Sequence, residues 1–413
     1  MRMLSGARAA AKVQQLANRG LGLSALEPQV QTIIQNVRRH GDAAVRRYAQ
    51  RWDGLQTREP LLVAKEEIQA AWRTTNPKFR KSLQAAAKNI RQFCEWQKPT
   101  EWRRTRNGIS VGQIVRPLES VACYVPGGRY PLVSTLLMTV IPAQVAGVER
   151  ICVASPRAHS QVLAAAGMLG VREVYRIGGA QAIAALAYGT RNIARVDKIV
   201  GPGNLYVTVA KKLVSFDCAI DFLAGPTEIV VLSSRGRADF IAADLVAQAE
   251  HDPATLSILI TTRQALADQV KDYVARFAAK NSTARAALRR NGFIFLAPTR
   301  RQAIAWANQL APEHITVDEP DLSSIRNAGS IFVGDYSAQS AGDYASGPNH
   351  VLPTSGAARY RGGLSVLDFV KVISVQKLTR PGLSRIASVV QSLAETEGLS
   401  AHAESIRLRC SHA

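Results

Sequence analysis

The stretch RICVASPRAHSQVLAAAGMLGVREVYRIGGAQAIAALAYGTRNIARVDKIVGPGNLYVTVAKKLV, residues 150–214, decides the fold. It repeats one unit three times. A short Val/Ile-rich run (Arg150–Ala154, Glu173–Ile177, Lys198–Val200) gives way to a turn with Gly or Pro, and a helical pattern follows (Gln161–Leu169, Gln181–Tyr188, Leu205–Val214). Strands alternating with helices at this spacing predict parallel βαβ units, because parallel neighbours need a long crossover.

Outward from this block the same alternation continues. Upstream, Ile109–Val115 alternates and Ser120–Val125 is an apolar run ending in Pro126-Gly127-Gly128. Downstream, strands at Ile229–Leu232, Leu256–Thr261, Phe293–Leu296, Ile315–Val317 and Ser330–Val333 are separated by helical patterns at Ala238–Glu250, Arg263–Ala279 and Arg300–Leu310. The fold class is therefore α/β, with two domains of this kind. Residues 26–98 read as helices, with Val30, Ile33, Ile34, Val37, Ala44, Val45 and Tyr48 at helical spacing and a break at Gly41-Asp42. Ser365–Leu378 fits strand or helix, and Gly382–Glu395 is helical. The last segment is too short and polar to hold a core alone, so it should dock on another surface, such as a partner subunit.

With 413 residues, 47% of them hydrophobic, the chain can bury more than one core, and disorder is excluded. The net charge of +21 raises the question of nucleic acid or anionic membranes. Basic residues are, however, dispersed in ones and twos, with no aromatic-interleaved basic strand, so no specific nucleic-acid partner is expected. Five separated cysteines without a C-x-x-C pair fit a reducing compartment. No stretch has the length of a signal peptide core or a membrane span, and a cytoplasmic location without membrane contact is expected.

Three Gly-rich turns stand at the carboxyl ends of predicted strands and open helices: Tyr124–Gly128, Gly178–Gln181 and Gly201–Asn204. Glycine there lets backbone approach phosphate, and a helix amino terminus favours the charge. One such turn alone is ordinary; three in the same structural position point to a cofactor crevice. The fingerprint G-x-G-x-x-A at Gly20–Ala25 follows a helical pattern and not a strand, so it is not a dinucleotide site. Cys123, inside the apolar run Val121–Val125, reads as a buried structural thiol more readily than as a nucleophile.

Gln248 and His251 lie three apart near a helix end and share a face. With Asp343 in the loop GDYASGPNH and His402 in EGLSAHAES they would offer two imidazole nitrogens and two oxygens, a set that suits zinc. On spacing alone, His251 also fits a helix-end histidine answering the dipole. Glu313-His314 opens a predicted strand after Pro312, and His350 closes the turn-rich loop.

Taken in order, YVPGGRYP, GGAQAIAALAYGT, VGPGN, AGPTE, AQAEHD, APEHI, AGDYASGPNHVLPT and EGLSAHAES resemble the motifs of the histidinol dehydrogenase family, from about residue 26 to 409. The resemblance implies a zinc-containing homodimer that oxidises L-histidinol through L-histidinal to L-histidine with two NAD⁺. It implies zinc ligands Gln248, His251, Asp343 and His402, and a catalytic pair Glu313 and His314. NAD⁺ contacts would be Tyr124, Gln181 and Asn204. Substrate contacts would be Thr227, Gln248, His251, His314, Asp343, His350, Glu397 and His402. Thr227 stands where many members carry Ser, and the segment between Ser155 and Gln161 is shorter than usual.

The implied architecture is two incomplete Rossmann-like domains with two small terminal segments for dimerisation. Residues 20–123 with 229–365 would form the main domain carrying zinc and catalytic residues, and 124–228 an inserted NAD-binding domain. Residues 1–19 with 366–391 would form a dimerisation segment, and 392–413 a tail exchanged into the partner's active site. Dehydrogenases of this scaffold also act on other small alcohols, including sulfonated diols, an alternative with which Tyr130 is compatible; Glu397 and His350 favour histidinol.

Overall fold

A computed structural model describes residues 1–127 and 131–411. In chain order the strands are β1 (Arg2–Ser5), β2 (Trp102–Arg106), β3 (Ile109–Pro117), β4 (Ser120–Tyr124) and β5 (Arg150–Ala154). There follow β6 (Glu173–Tyr175), β7 (Lys198–Val200), β8 (Ala219–Ile220), β9 (Glu228–Leu232) and β10 (Leu256–Thr261). The last four are β11 (Gly292–Leu296), β12 (His314–Val317), β13 (Ser330–Val333) and β14 (Val370–Leu378). Two compact units result, Met1–Gln97 with Glu119–Phe369 and Lys98–Leu118 with Val370–Ala413.

The larger unit holds two parallel sheets. One runs β6-β5-β4-β7-β8, so the strand order reverses between β4 and β7, where a doubly wound sheet opens its ligand crevice. The other runs β1-β11-β10-β9-β12-β13, all parallel, with its own reversal between β9 and β12. β9 and β10 are buried along their whole length, which is why they read as continuous apolar runs and not as alternating ones.

Two groupings differ from those expected. The helix Glu27–Tyr48, kinked at Gly41, packs Val30, Ile33, Ile34 and Val37 into one core with Ile183 and Leu186 of the five-stranded sheet's layer. Val63 N–H donates to the carbonyl of Val174, and Arg176 N–H to that of Leu61, extending that sheet past β6. The early helices thus belong with the β4–β8 sheet; periodicity identifies a buried face without naming what buries it. Residues 1–19 likewise do not group with 366–391. β1 pairs with β11, Arg2 opposite Phe293 through Ser5 opposite Leu296, and Ala9 and Val13 of the following helix enter the core of the six-stranded sheet.

The smaller unit is an antiparallel sheet, β14-β3-β2, with two helices, Arg380–Thr396 and Ser400–Ser411, packed on each other. Asn107 and Gly108, both at positive φ, make the tight β2–β3 turn. Ser365–Leu378 resolves as a short 3₁₀ turn followed by β14. β2, Trp-Arg-Arg-Thr-Arg, is exposed throughout and has no apolar alternation to betray it; the ladder to β3 recruits it.

Candidate active site

The three Gly-rich turns converge at the carboxyl ends of β4, β6 and β7. Tyr124 closes β4 and is buried; its hydroxyl accepts the N–H of Gly179 at 3.0 Å. Gly201 sits at φ 113° so close to β4 that a Cβ would lie 2.2 Å from the carbonyl oxygen of Tyr124. Its N–H donates to Asp221, which also pairs with the buried Lys211, and Lys211 donates to the Gly201 carbonyl. Asn204 caps the helix Leu205–Val214, accepting from Val207 N–H. Around these turns lies a cavity of about 530 Å³, lined by Trp52, Asp53, Tyr124, Arg157, Gln181 and Asn204. Gly128 and Tyr130 lie outside the described residues.

The second cluster forms at the opposite pole of the other sheet, the amino ends of β9 and β12. Glu313 precedes β12 and His314 is its first residue, paired with Ile229. Both side chains are buried and both are held from β9. Glu313 Oε2 accepts the Thr227 hydroxyl at 2.6 Å and the Glu228 N–H at 2.8 Å. Gln248, from the helix Ala238–Ala249, donates its amide to the same Thr227 hydroxyl. Strand neighbours normally point apart; Glu313 lies just outside β12, and its Oε2 is 3.5 Å from His314 Nδ1.

His314 Nδ1 lies 3.1 Å from the Glu228 carbonyl oxygen, an acceptor only, so the proton belongs on Nδ1. Nε2 is buried without a hydrogen-bond partner, 3.8 Å from Asp343 Oδ1. Burial disfavours the charged ring, yet Glu313 and Asp343 outweigh it and push its pKa up to about 10. Burial also opposes ionisation of Asp343, but His314, His350 and His251 together hold it below the ordinary carboxylate range. His350 Nδ1 donates to the Asp343 carbonyl at 2.7 Å, and burial lowers its pKa.

Among the described residues no three His, Cys, Asp or Glu side chains are grouped as metal ligands. Of the ligands that the family resemblance implies, Gln248, His251 and Asp343 lie in the larger unit, and two oxygens with one imidazole would suit a borderline dication. Asp343 is held below the ordinary carboxylate range and so as an anion. Gln248 spends its amide nitrogen on Thr227, leaving its oxygen as the donor atom. His251 follows the helix, exposed, and lines a cavity of about 940 Å³ with Glu250, Asp252 and Tyr344. Three such ligands leave positions open for a fourth side chain or for substrate.

Thr227, Gln248, Glu313, His314, Asp343 and His350 therefore form one linked cluster, with His251 exposed beyond the end of the helix Ala238–Ala249. Glu397 and His402 belong to the smaller unit, where Glu397 ends the helix Arg380–Thr396, His402 lies in the first turn of the last helix, and both are exposed. Sequence reasoning missed Trp52, Asp53 and Arg157. The signal for Asp53 was an acid directly before Gly54, which takes φ 78° to end a helix in a π-helical turn, a feature enriched at functional positions. Cys123 is fully buried, and burial raises its pKa, as a structural thiol requires.

Comparison with known proteins identifies the family. The family model for histidinol dehydrogenase matches residues 17–410. Histidinol dehydrogenase of Methanothermobacter thermautotrophicus is 48% identical over 394 residues, covering 92% of each chain. That of Aquifex aeolicus is 43% identical over 408 residues, covering 96% of each. The crystal structure of histidinol dehydrogenase from Elizabethkingia anophelis superposes with a TM-score of 0.94 at 34% identity, over 99% of this chain and 98% of that one. No helix among the described residues is long and apolar enough to cross a membrane. With its ordered motifs, its two parallel sheets and relatives of this identity over nearly its full length, the chain belongs to the histidinol dehydrogenase family.

Proposed function

We propose that this protein is an NAD⁺-dependent histidinol dehydrogenase that oxidises L-histidinol to L-histidinal and then to L-histidine, reducing two NAD⁺. The observation that carries the chemistry is His314: its Nδ1 proton is committed to Glu228, so Nε2 is a buried acceptor with no protein partner. An imidazole in that state takes the hydroxyl proton of an alcohol as hydride leaves its carbon. The neighbouring carboxylates pull this ring toward its charged form, and a dication held by Asp343 would weaken that pull.

Glu313 suits the second oxidation. Both of its hydrogen bonds fall on Oε2, leaving Oε1 to take a proton from the water that hydrates the aldehyde. His314 then accepts the gem-diol proton as the second hydride departs, so each oxidation releases one hydride to one NAD⁺. Gln248, His251 and Asp343, with His402 from a second subunit, would hold zinc. When bound, zinc would anchor the amine and imidazole nitrogens of the substrate and so orient its reactive carbon. Tyr124, Gln181 and Asn204 would contact NAD⁺; Thr227, His350 and Glu397 complete the substrate contacts.

A homodimer with exchanged tails is part of this reading. Its support is the apolar surface of the smaller unit, where Val372 is 51%, Val389 57% and Leu393 60% exposed. A sulfonated-diol substrate is not favoured, because the relatives at 41–48% identity are histidinol dehydrogenases. The test is stoichiometry: two NADH should form per L-histidinol consumed, and a ratio of one with released aldehyde would overturn the four-electron assignment.

A further inference from the structure

Asp53 comes from the helical first hundred residues and reaches under the turn that opens the helix Gly179–Tyr188. It is 7% exposed. Its Oδ2 accepts two hydrogen bonds, from Gly178 N–H at 2.9 Å and from Gln181 Nε2 at 3.0 Å. Gly178 has no room for a side chain, since a Cβ would meet Pro156 at 2.7 Å and Asp53 Oδ1 at 3.0 Å.

A glutamine amide has two faces of opposite polarity, and an ionised carboxylate can only accept. Facing Asp53, Gln181 must present its nitrogen; the reversed amide would set two acceptors against each other. The end left over is Oε1, which is buried and has no partner in the protein. Gln181 and Asp53 both line the 530 Å³ cavity.

We propose that Asp53 is a positioning residue for the dinucleotide: it fixes the Gln181 amide with its carbonyl oxygen offered to an N–H or O–H donor of the cofactor, namely a carboxamide, exocyclic amine or ribose hydroxyl. This rests on the reading that the cavity between the Gly-rich turns holds NAD⁺. Burial raises the Asp53 pKa to about 6 against the hydrogen bonds that favour its ionised form, so the carboxylate is kept where burial penalises it. That is what a group retained for ligand placement does to its host.

The test uses the full-length protein with NAD⁺ and L-histidinol. In Asp53→Ala the acceptor facing the Gln181 amide is gone, so its carbonyl end is no longer fixed toward the cofactor. The NAD⁺ KM should rise about tenfold, equivalent to one hydrogen bond's orientation. kcat at saturating NAD⁺ and the histidinol KM should change by less than about twofold. Asp53→Asn keeps one oxygen for the Gly178 N–H and the Gln181 amide and should recover most of the NAD⁺ affinity. In a Gln181→Met background, which has no amide to orient, adding Asp53→Ala should leave the NAD⁺ KM where Gln181→Met alone puts it. An unchanged NAD⁺ KM in Asp53→Ala overturns the role. So does the full effect persisting in the Gln181→Met background, or a fall in melting temperature matched by a fall in kcat. Wild-type protein that forms no NADH would instead overturn the cofactor reading itself.

Discussion

The Thr227 hydroxyl stands between Glu313 and Gln248: it donates to the carboxylate at 2.6 Å and accepts from the amide. One oxygen therefore couples Glu313, just before β12, to Gln248, proposed as a metal ligand. Thr227→Val keeps the shape and removes both bonds, leaving the buried Gln248 amide without this partner and Glu313 Oε2 with the Glu228 N–H alone. Loss of about 1–3 kcal/mol of stability is expected, with a fall in kcat. Thr227→Ser should restore both in thermal melts and steady-state assays, since only the hydroxyl is used. Val at wild-type activity would contradict the coupling.

His314→Gln should lower kcat for both oxidations by roughly a hundred- to ten-thousandfold, the usual worth of a positioned general base. Metal content, measured by atomic absorption, should stay at the wild-type level. Loss of metal together with activity would move His314 from proton transfer to ligation.

Glu313→Gln addresses the second oxidation. With water no longer activated at Oε1, L-histidinol should yield about one NADH per molecule and free aldehyde, the first hydride transfer needing only His314. Two NADH per substrate in this variant would assign water activation elsewhere.

His402→Ala should cost metal and activity in the homodimer. Mixed with His251→Ala protein under subunit exchange, it should regain activity, about a quarter of wild type for random two-fold pairing, because one site per mixed dimer is intact. No recovery on mixing would place His402 and His251 in the same subunit's site.

Asp53 gives stability a pH dependence of definite sign. Its carboxyl is raised from 3.8 to about 6 in the folded protein, so between those values the folded chain holds more protons than the unfolded one. Stability is then lost as pH rises through this window, by roughly 3 kcal/mol at most. Asp53→Asn removes the titration, so its melting temperature relative to wild type should climb from about pH 4 to 6 and level off. A flat difference would contradict the shift.

Much of this architecture was legible because buried parallel strands leave continuous Val/Ile runs, as in β5, β7, β9 and β10. The three Gly-rich turns were legible for the same reason: they end such runs. What stayed hidden depends on partners rather than on local pattern. The exposed β2 becomes a strand only by pairing with β3, and β1 only by adding to β11. Asp53 lies 125 residues from Gly178, and no spacing rule joins them. The metal set was assembled from distant residues by donor chemistry alone, and it was the family resemblance that then implied one shared site for them.

Thr227, Glu313 and His314 stand at the amino ends of one sheet, and the Gly-rich turns at the carboxyl ends of the other. On the proposed roles, proton transfer and dinucleotide binding fall to loops that share no strand. On that reading, substitutions around Trp52, Asp53 and Arg157 change dinucleotide contacts without touching Thr227, Glu313 or His314, although both sheets belong to one compact unit.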